Sequence, residues 1–329
     1  MQATENQPIL TDTYSNVAEF NPEAGSLFVY GDGTEERALH VTRLKNENPN
    51  VVFVQIVSET PSEFSVIAES APYFLRSQAS FSKFWERAAG ARKVYVDMTG
   101  LTHPVWAALL REATKLPFEV LFVYVEPNNY MRSAAPVDGQ IYELSSRING
   151  IAPLPGFAVL SAKSHVNPLF ACLLGFEGTR LKHIIENIDP NYEDIVPIVG
   201  VPGFKPSYLF ETFLGNRTTL AENSIWQAVL YAPAHCPFSC FYRLKDLHEE
   251  SPGRAMRIAL VGTKPHALGA VLFHLGDFCA TELVYDHPIR KRGRTDGTER
   301  LHVYHVSAIM KSKKDQRLLT ASAEEVSMT

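Results

Sequence analysis

The chain lacks most of the features that place a protein at a glance. It has only four cysteines in 329 residues, Cys172, Cys236, Cys240 and Cys279, too few for a disulfide scaffold and suited to a reducing compartment. Long apolar runs are missing. The longest apolar-rich stretches, such as Phe118–Val125 and Leu268–Phe273, fall far short of the roughly 20 residues that span a membrane. No basic leader opens the chain, so a soluble, cytoplasmic protein without a membrane partner is expected. There is no excess of positive charge either: 31 Lys plus Arg stand against 36 Asp plus Glu, a net charge of −5. Such a chain is a poor general binder of duplex nucleic acid, and any anion site must be local. Walker A, GxGxxG, GxSxG, HExxH and kinase signatures are absent. Cys236 and Cys240 have no second cysteine pair to complete a zinc site. No metal and no cofactor is expected.

What is present is a globular composition, 45% apolar and 20% charged, in which short β-rich runs alternate with helical patterns. That alternation is the mark of βαβ units and a mainly parallel sheet. Strands are expected at Leu27–Tyr30, Val51–Val57, Val94–Asp97 and Glu119–Val125, with helices over Glu35–Leu44, Phe81–Ala89 and Val105–Thr114. Residues 1–24 read as a polar lead-in, 25–135 as a first Rossmann-like domain and 136–167 as a linker or excursion. Residues 168–310 read as a second such domain, and 311–329 as a mobile tail.

The second series mirrors the first. Thr102-His103-Pro104 lines up with Thr263-Lys264-Pro265, and the same spacing carries Tyr124 onto Tyr285 and Pro127 onto Pro288. Upstream, YGDGTEERAL (30–39) resembles LGFEGTRLKHII (174–185), and TPS (60–62) echoes KPS (205–207). Matches in the same order favour an internal duplication. The fold expected is α/β, two Rossmann-like, mainly parallel sheets whose strand-end loops face a shared cleft.

Four strand-to-helix loops carry the candidate ligand-binding residues. In the first, Gly31, Gly33, Thr34 and Arg37 suit an anion site at a helix start, or a plain capped turn. The second holds Asp97, Thr99, Gly100, Thr102 and His103. There an acid and two hydroxyls suit ribose or phosphate, or else Thr102 caps the helix while Asp97 binds loop amides. In the third, Gly175, Glu177, Gly178, Thr179 and Arg180 repeat the first loop, with Arg180 forking to phosphate or pairing with Glu177. The fourth, Gly262, Thr263, Lys264 and His266, brings a cation to a glycine-containing helix start. Its plain alternative is a solvent-facing lysine. Asp97 and His103 are the candidate catalytic groups should the loops turn a nucleotide over. Downstream, Asp296-Gly297 signals a hairpin over 289–303, which carries Arg290, Lys291, Arg292, Arg294 and Arg300. This is either a solvated arm or a surface for a polyanion, whether single-stranded nucleic acid or an acidic partner face.

The loop LVGTKPHALGA (260–270) resembles the ligand loop of the CRISPR-associated Rossmann-fold (CARF) sensors, and VDMTGLTHP (96–104) is similar to a diverged copy of it. Val261 and Leu101 stand where that family's loops carry glycine. The resemblance implies nucleotide sensing in a composite pocket built within one chain, with a role in antiviral defence. Residues 31–37, 97–103, 175–180 and 262–266 would line that pocket. The nuclease or DNA-binding module that usually accompanies CARF domains has no counterpart here, so the output implied is a signal to a protein effector. Two other readings of the same residues stand beside it. One is a nucleotide hydrolase or phosphodiesterase. The other is an assembly subunit that docks a partner through the basic segment.

Overall fold

The computed structural model describes residues 10–33, 35–137, 139–159 and 167–310. Thr34, residues 1–9 of the expected lead-in and the expected 311–329 tail lie outside them.

Two mixed sheets organise the chain. In the first, the spatial order is Thr11–Tyr14, Leu301–Tyr304, Glu119–Val125, Lys93–Asp97, Leu27–Gly31, Val52–Glu59, Glu63–Val66 and Tyr73–Phe74. The four central strands from Glu119–Val125 to Val52–Glu59 run parallel, with antiparallel strands on either side. In the second sheet the order is Ala152–Pro153, Thr281–Tyr285, Met256–Leu260, Leu169–Leu173, Ile195–Gly200 and Leu230–Ala232. Here all neighbours are parallel except Ala152–Pro153. The central strands are continuous apolar runs such as LFVYG and LFACL, buried at every position. That is the pattern of strands covered on both faces.

The helix His103–Ala113 follows the Lys93–Asp97 strand, and the helix Lys264–Leu275 follows Met256–Leu260. Each has proline in its first turn, where the missing N–H costs nothing. Lys264 through Phe273 are all buried, as befits a helix apolar on every side. The two helices pack together. Trp106, Leu109, Leu268 and Leu272 thus share one continuous core cluster that joins the two sheets. Burying each such side chain contributes roughly 1.5–3 kcal/mol. No helix among the described residues is long and apolar enough to cross a membrane.

The segment 289–303 is not a hairpin. Pro288–Arg290 pairs with Ser145–Ile148, Thr295–Asp296 with Asn129–Tyr130, and Leu301–Tyr304 lies inside the first sheet. Gly297 takes the positive φ (63°) that a turn wants, but the flanking strands find better partners far away in sequence. The 136–167 stretch likewise supplies edge pairing, Ala152–Pro153 against Thr281–Tyr285. In the lead-in, Thr11–Tyr14 forms an edge strand and Phe20 is buried.

Candidate functional site

A cleft opens where the carboxyl ends of the central strands of the two sheets converge. Its walls frame about 920 Å3 of space between atoms, open solvent at the mouth included. His103, Lys264, Gly175, Gly262 and the paired strand ends Tyr124 and Tyr285 all line it.

The first loop supports the cleft more than it lines it. A Cβ on Gly31 would sit 2.9 Å from the Gly100 carbonyl carbon, and one on Gly33 would sit 2.2 Å from the Ala38 Cβ. These glycines therefore serve close loop packing. Arg37 lines the cleft, with Nε 2.7 Å from Glu35 Oε2, and Nη1 donates to the Tyr124 hydroxyl at 3.0 Å and the Val125 carbonyl at 2.8 Å. Burial opposes the Glu35 charge, but Arg37 and Arg294 outweigh it and hold the carboxyl well below the usual carboxylate range.

Only His103 of the second loop lines the cleft. Asp97, 1% exposed, accepts from the Thr99 amide at 2.8 Å and lies 3.4 Å from His40 Nε2. Thr99 Oγ1 accepts from the Val125 amide. Thr102 is no side-chain cap: its amide and hydroxyl donate to Glu59 at 2.7 and 2.5 Å. His103 Nδ1 lies 3.2 Å from the Tyr285 hydroxyl, whereas its Nε2 is buried with no hydrogen-bond partner. Burial, reinforced by Arg290 and Lys264, keeps the imidazole neutral, well below the ordinary histidine value.

In the third loop Arg180 takes neither expected course in full. Its Nε and Nη2 donate to the fully buried Asp286 at 2.7 Å each, with Glu177 a secondary partner at 3.3 Å. Glu177 Oε1 accepts from the Leu144 and Ser145 amides and so anchors the preceding excursion. Gly178 is pressed to the next helix, because a Cβ there would stand 1.9 Å from the Gly215 carbonyl oxygen. Thr179 is exposed, away from the cleft lining.

The fourth loop corrects two expectations. Lys264 is neither at the surface nor free for a ligand. It is 6% exposed, and its Nζ donates to the carbonyls of Met98, Thr99 (2.6 Å) and Leu101 (2.8 Å), across from the other sheet. An ammonium has three N–H donors, and three carbonyls take them. His266 is a core histidine: it is fully buried, its Nε2 donates to the Ala232 and Pro233 carbonyls, and burial pushes it down to about 4. Thr263 caps its helix through the His266 amide and also donates to the Ala234 carbonyl.

The basic segment is mostly paired with carboxylates, at the surface for Lys291 and deeper for Arg294. Arg294 pairs with Glu35, Arg300 with Glu126 and Lys291 with Glu143. Arg292 is exposed. Arg290 is the exception that matters. It is half-buried in the cleft wall and donates from Nη2 to the Leu101 carbonyl at 3.0 Å. Among the described residues its side chain makes no other hydrogen bond and no ion pair with a carboxylate. Burial and the neighbouring Arg294 guanidinium push it below the ordinary arginine value.

Sequence reasoning missed the cleft's aromatic wall, in which Tyr130, Phe176 and Tyr208 pack edge to face at 5.0–5.8 Å. Phe176 lies within the GFEGTR turn, where a large apolar residue in a strand-end loop is the signal that marks it. Tyr124 and Tyr285 were visible as paired strand ends. The chain matches no protein-family model and no curated protein.

Proposed function

We propose that this protein binds a nucleotide or other phosphate-bearing ligand in the cleft between its sheets and signals that binding to a partner effector. The observation that carries the reading is Arg290, a guanidinium without a carboxylate partner, set in a cleft with an aromatic wall. Arg37, Arg180, Lys264 and Arg294 line the same cleft, so with Arg290 it gathers five basic side chains around the carboxylates of Glu35, Glu177 and Asp286. Phosphate suits such a fork, and a base suits the aromatic faces.

The reading of two duplicated, Rossmann-like units gains support from strand order. Glu119–Val125, Lys93–Asp97, Leu27–Gly31 and Val52–Glu59 follow one another as Thr281–Tyr285, Met256–Leu260, Leu169–Leu173 and Ile195–Gly200 do. The CARF-like resemblance, and with it a role in antiviral defence, belongs to this proposal. The hydrolase reading is weaker, since Asp97 faces His40 rather than the cleft. So is the assembly reading, since three of the segment's five cations are already paired with carboxylates of this chain.

A thermal-shift panel of linear and cyclic nucleotides tests the proposal. A ligand at about a hundred times its Kd adds about 2.7 kcal/mol of stability. The shift should vanish in Arg290→Met. No shift with any nucleotide rules the reading out.

A further inference from the structure

Two cations of the second sheet's side meet on one atom of the first. Lys264 Nζ and Arg290 Nη2 both donate to the Leu101 carbonyl oxygen, at 2.8 and 3.0 Å, and both side chains line the cleft. We infer that this shared contact is a ligand-released latch: an anion in the cleft draws Arg290 off Leu101, leaves Lys264 as that carbonyl's one remaining cation, and so loosens the loop that begins the His103–Ala113 helix. The inference rests on the ligand-binding reading above and names how that site is regulated.

The argument is one of competing acceptors. A neutral carbonyl engages one N–H of Arg290, whereas a phosphate oxygen pair engages two in a bidentate fork and adds a full opposite charge that the carbonyl lacks. The ligand thus has differential affinity for the released state, which is what a population shift requires. The latched state also carries a cost. His103, the first residue of that helix, has a buried Nε2 without a partner, and such a group favours rearrangement. The loop's other side stays fixed, because Glu59 holds the Thr102 amide and hydroxyl. Movement is therefore directed to the face where this helix packs on Lys264–Leu275.

Hydrogen exchange over residues 98–106 tests the latch, with inorganic phosphate and the nucleotide panel as probes and the Met256–Leu260 strand as internal reference. Arg290→Met should speed exchange there about tenfold without ligand. A probe that raises the melting temperature of the wild-type protein should do the same, with no further effect on the variant. If Arg290→Met leaves exchange at 98–106 unchanged, the latch is wrong. If a probe stabilises the protein without speeding exchange there, the latch is again wrong and the ligand-binding reading survives. If no probe stabilises the protein, both fall together.

Discussion

Lys264 is bound to Thr99 across the boundary between the two sheets, its Nζ 2.6 Å from the Thr99 carbonyl oxygen, with Met98 and Leu101 completing the set. The lysine is thus a structural tie as well as part of the cleft wall.

Replacing it shows what the tie contributes. Lys264→Met keeps the apolar stem but leaves three carbonyls without their donor. Unmet buried acceptors cost about 1–3 kcal/mol each, offset in part by no longer burying a charge. A loss on the order of 2 kcal/mol is expected in urea unfolding at constant m. A midpoint equal to that of the wild-type protein contradicts this account.

Asp286 and Arg180 form a buried bidentate pair, so breaking one side is expensive. Asp286→Ala should lower stability by about 3 kcal/mol, because it removes both short bonds from a buried guanidinium and leaves it only Glu177 at 3.3 Å. Arg180→Met combined with Asp286→Leu should recover most of that loss. A double variant no better than the single one shows that the pair is not the cause.

Gly178 tests the fit of the third loop. Its α-hydrogen faces the Gly215 carbonyl at a distance no methyl group tolerates. Gly178→Ala should lower stability by about 1–3 kcal/mol through overpacking, and should also blunt any nucleotide-induced thermal shift. Melting and ligand response both unchanged would contradict that.

His266 links stability to acid. Its folded value is about 4 and its ordinary value 6.5, so between these the unfolded chain binds the proton and the folded one does not. Stability from this residue is complete above pH 6.5, falls as pH drops toward 4, and levels off below. The loss from pH 7 to 4.5 is about 2–3 kcal/mol. His266→Gln, which can still donate to the Ala232 and Pro233 carbonyls, should show a shallower acid limb in urea titrations. Parallel curves for variant and wild type contradict the assignment.

Local pattern made the central strands legible, since runs such as Leu27–Tyr30 and Glu119–Val125 are apolar in a way that only covered strands need. The helix starts at His103 and Lys264 were legible too, through proline and the preceding threonines. The direction of a side chain was not. Nothing in the order Thr-Lys-Pro distinguishes a lysine that faces solvent from one that reaches carbonyls far away in sequence, and nothing in Asp-Gly says that its flanking strands will pair elsewhere. Arg290 was one of five similar cations in the sequence. Only packing shows that Lys291, Arg294 and Arg300 sit in ion pairs while Arg290 enters the cleft wall without one.

The Leu301–Tyr304 strand gives the molecule a schedule. It lies between Thr11–Tyr14 and Glu119–Val125, so the strands on either side of it are synthesised long before the strand that joins them. Until then Val123 and its neighbours present an unpaired edge, a template for pairing with other chains. Cutting the gene between the two sheets would make that exposure permanent.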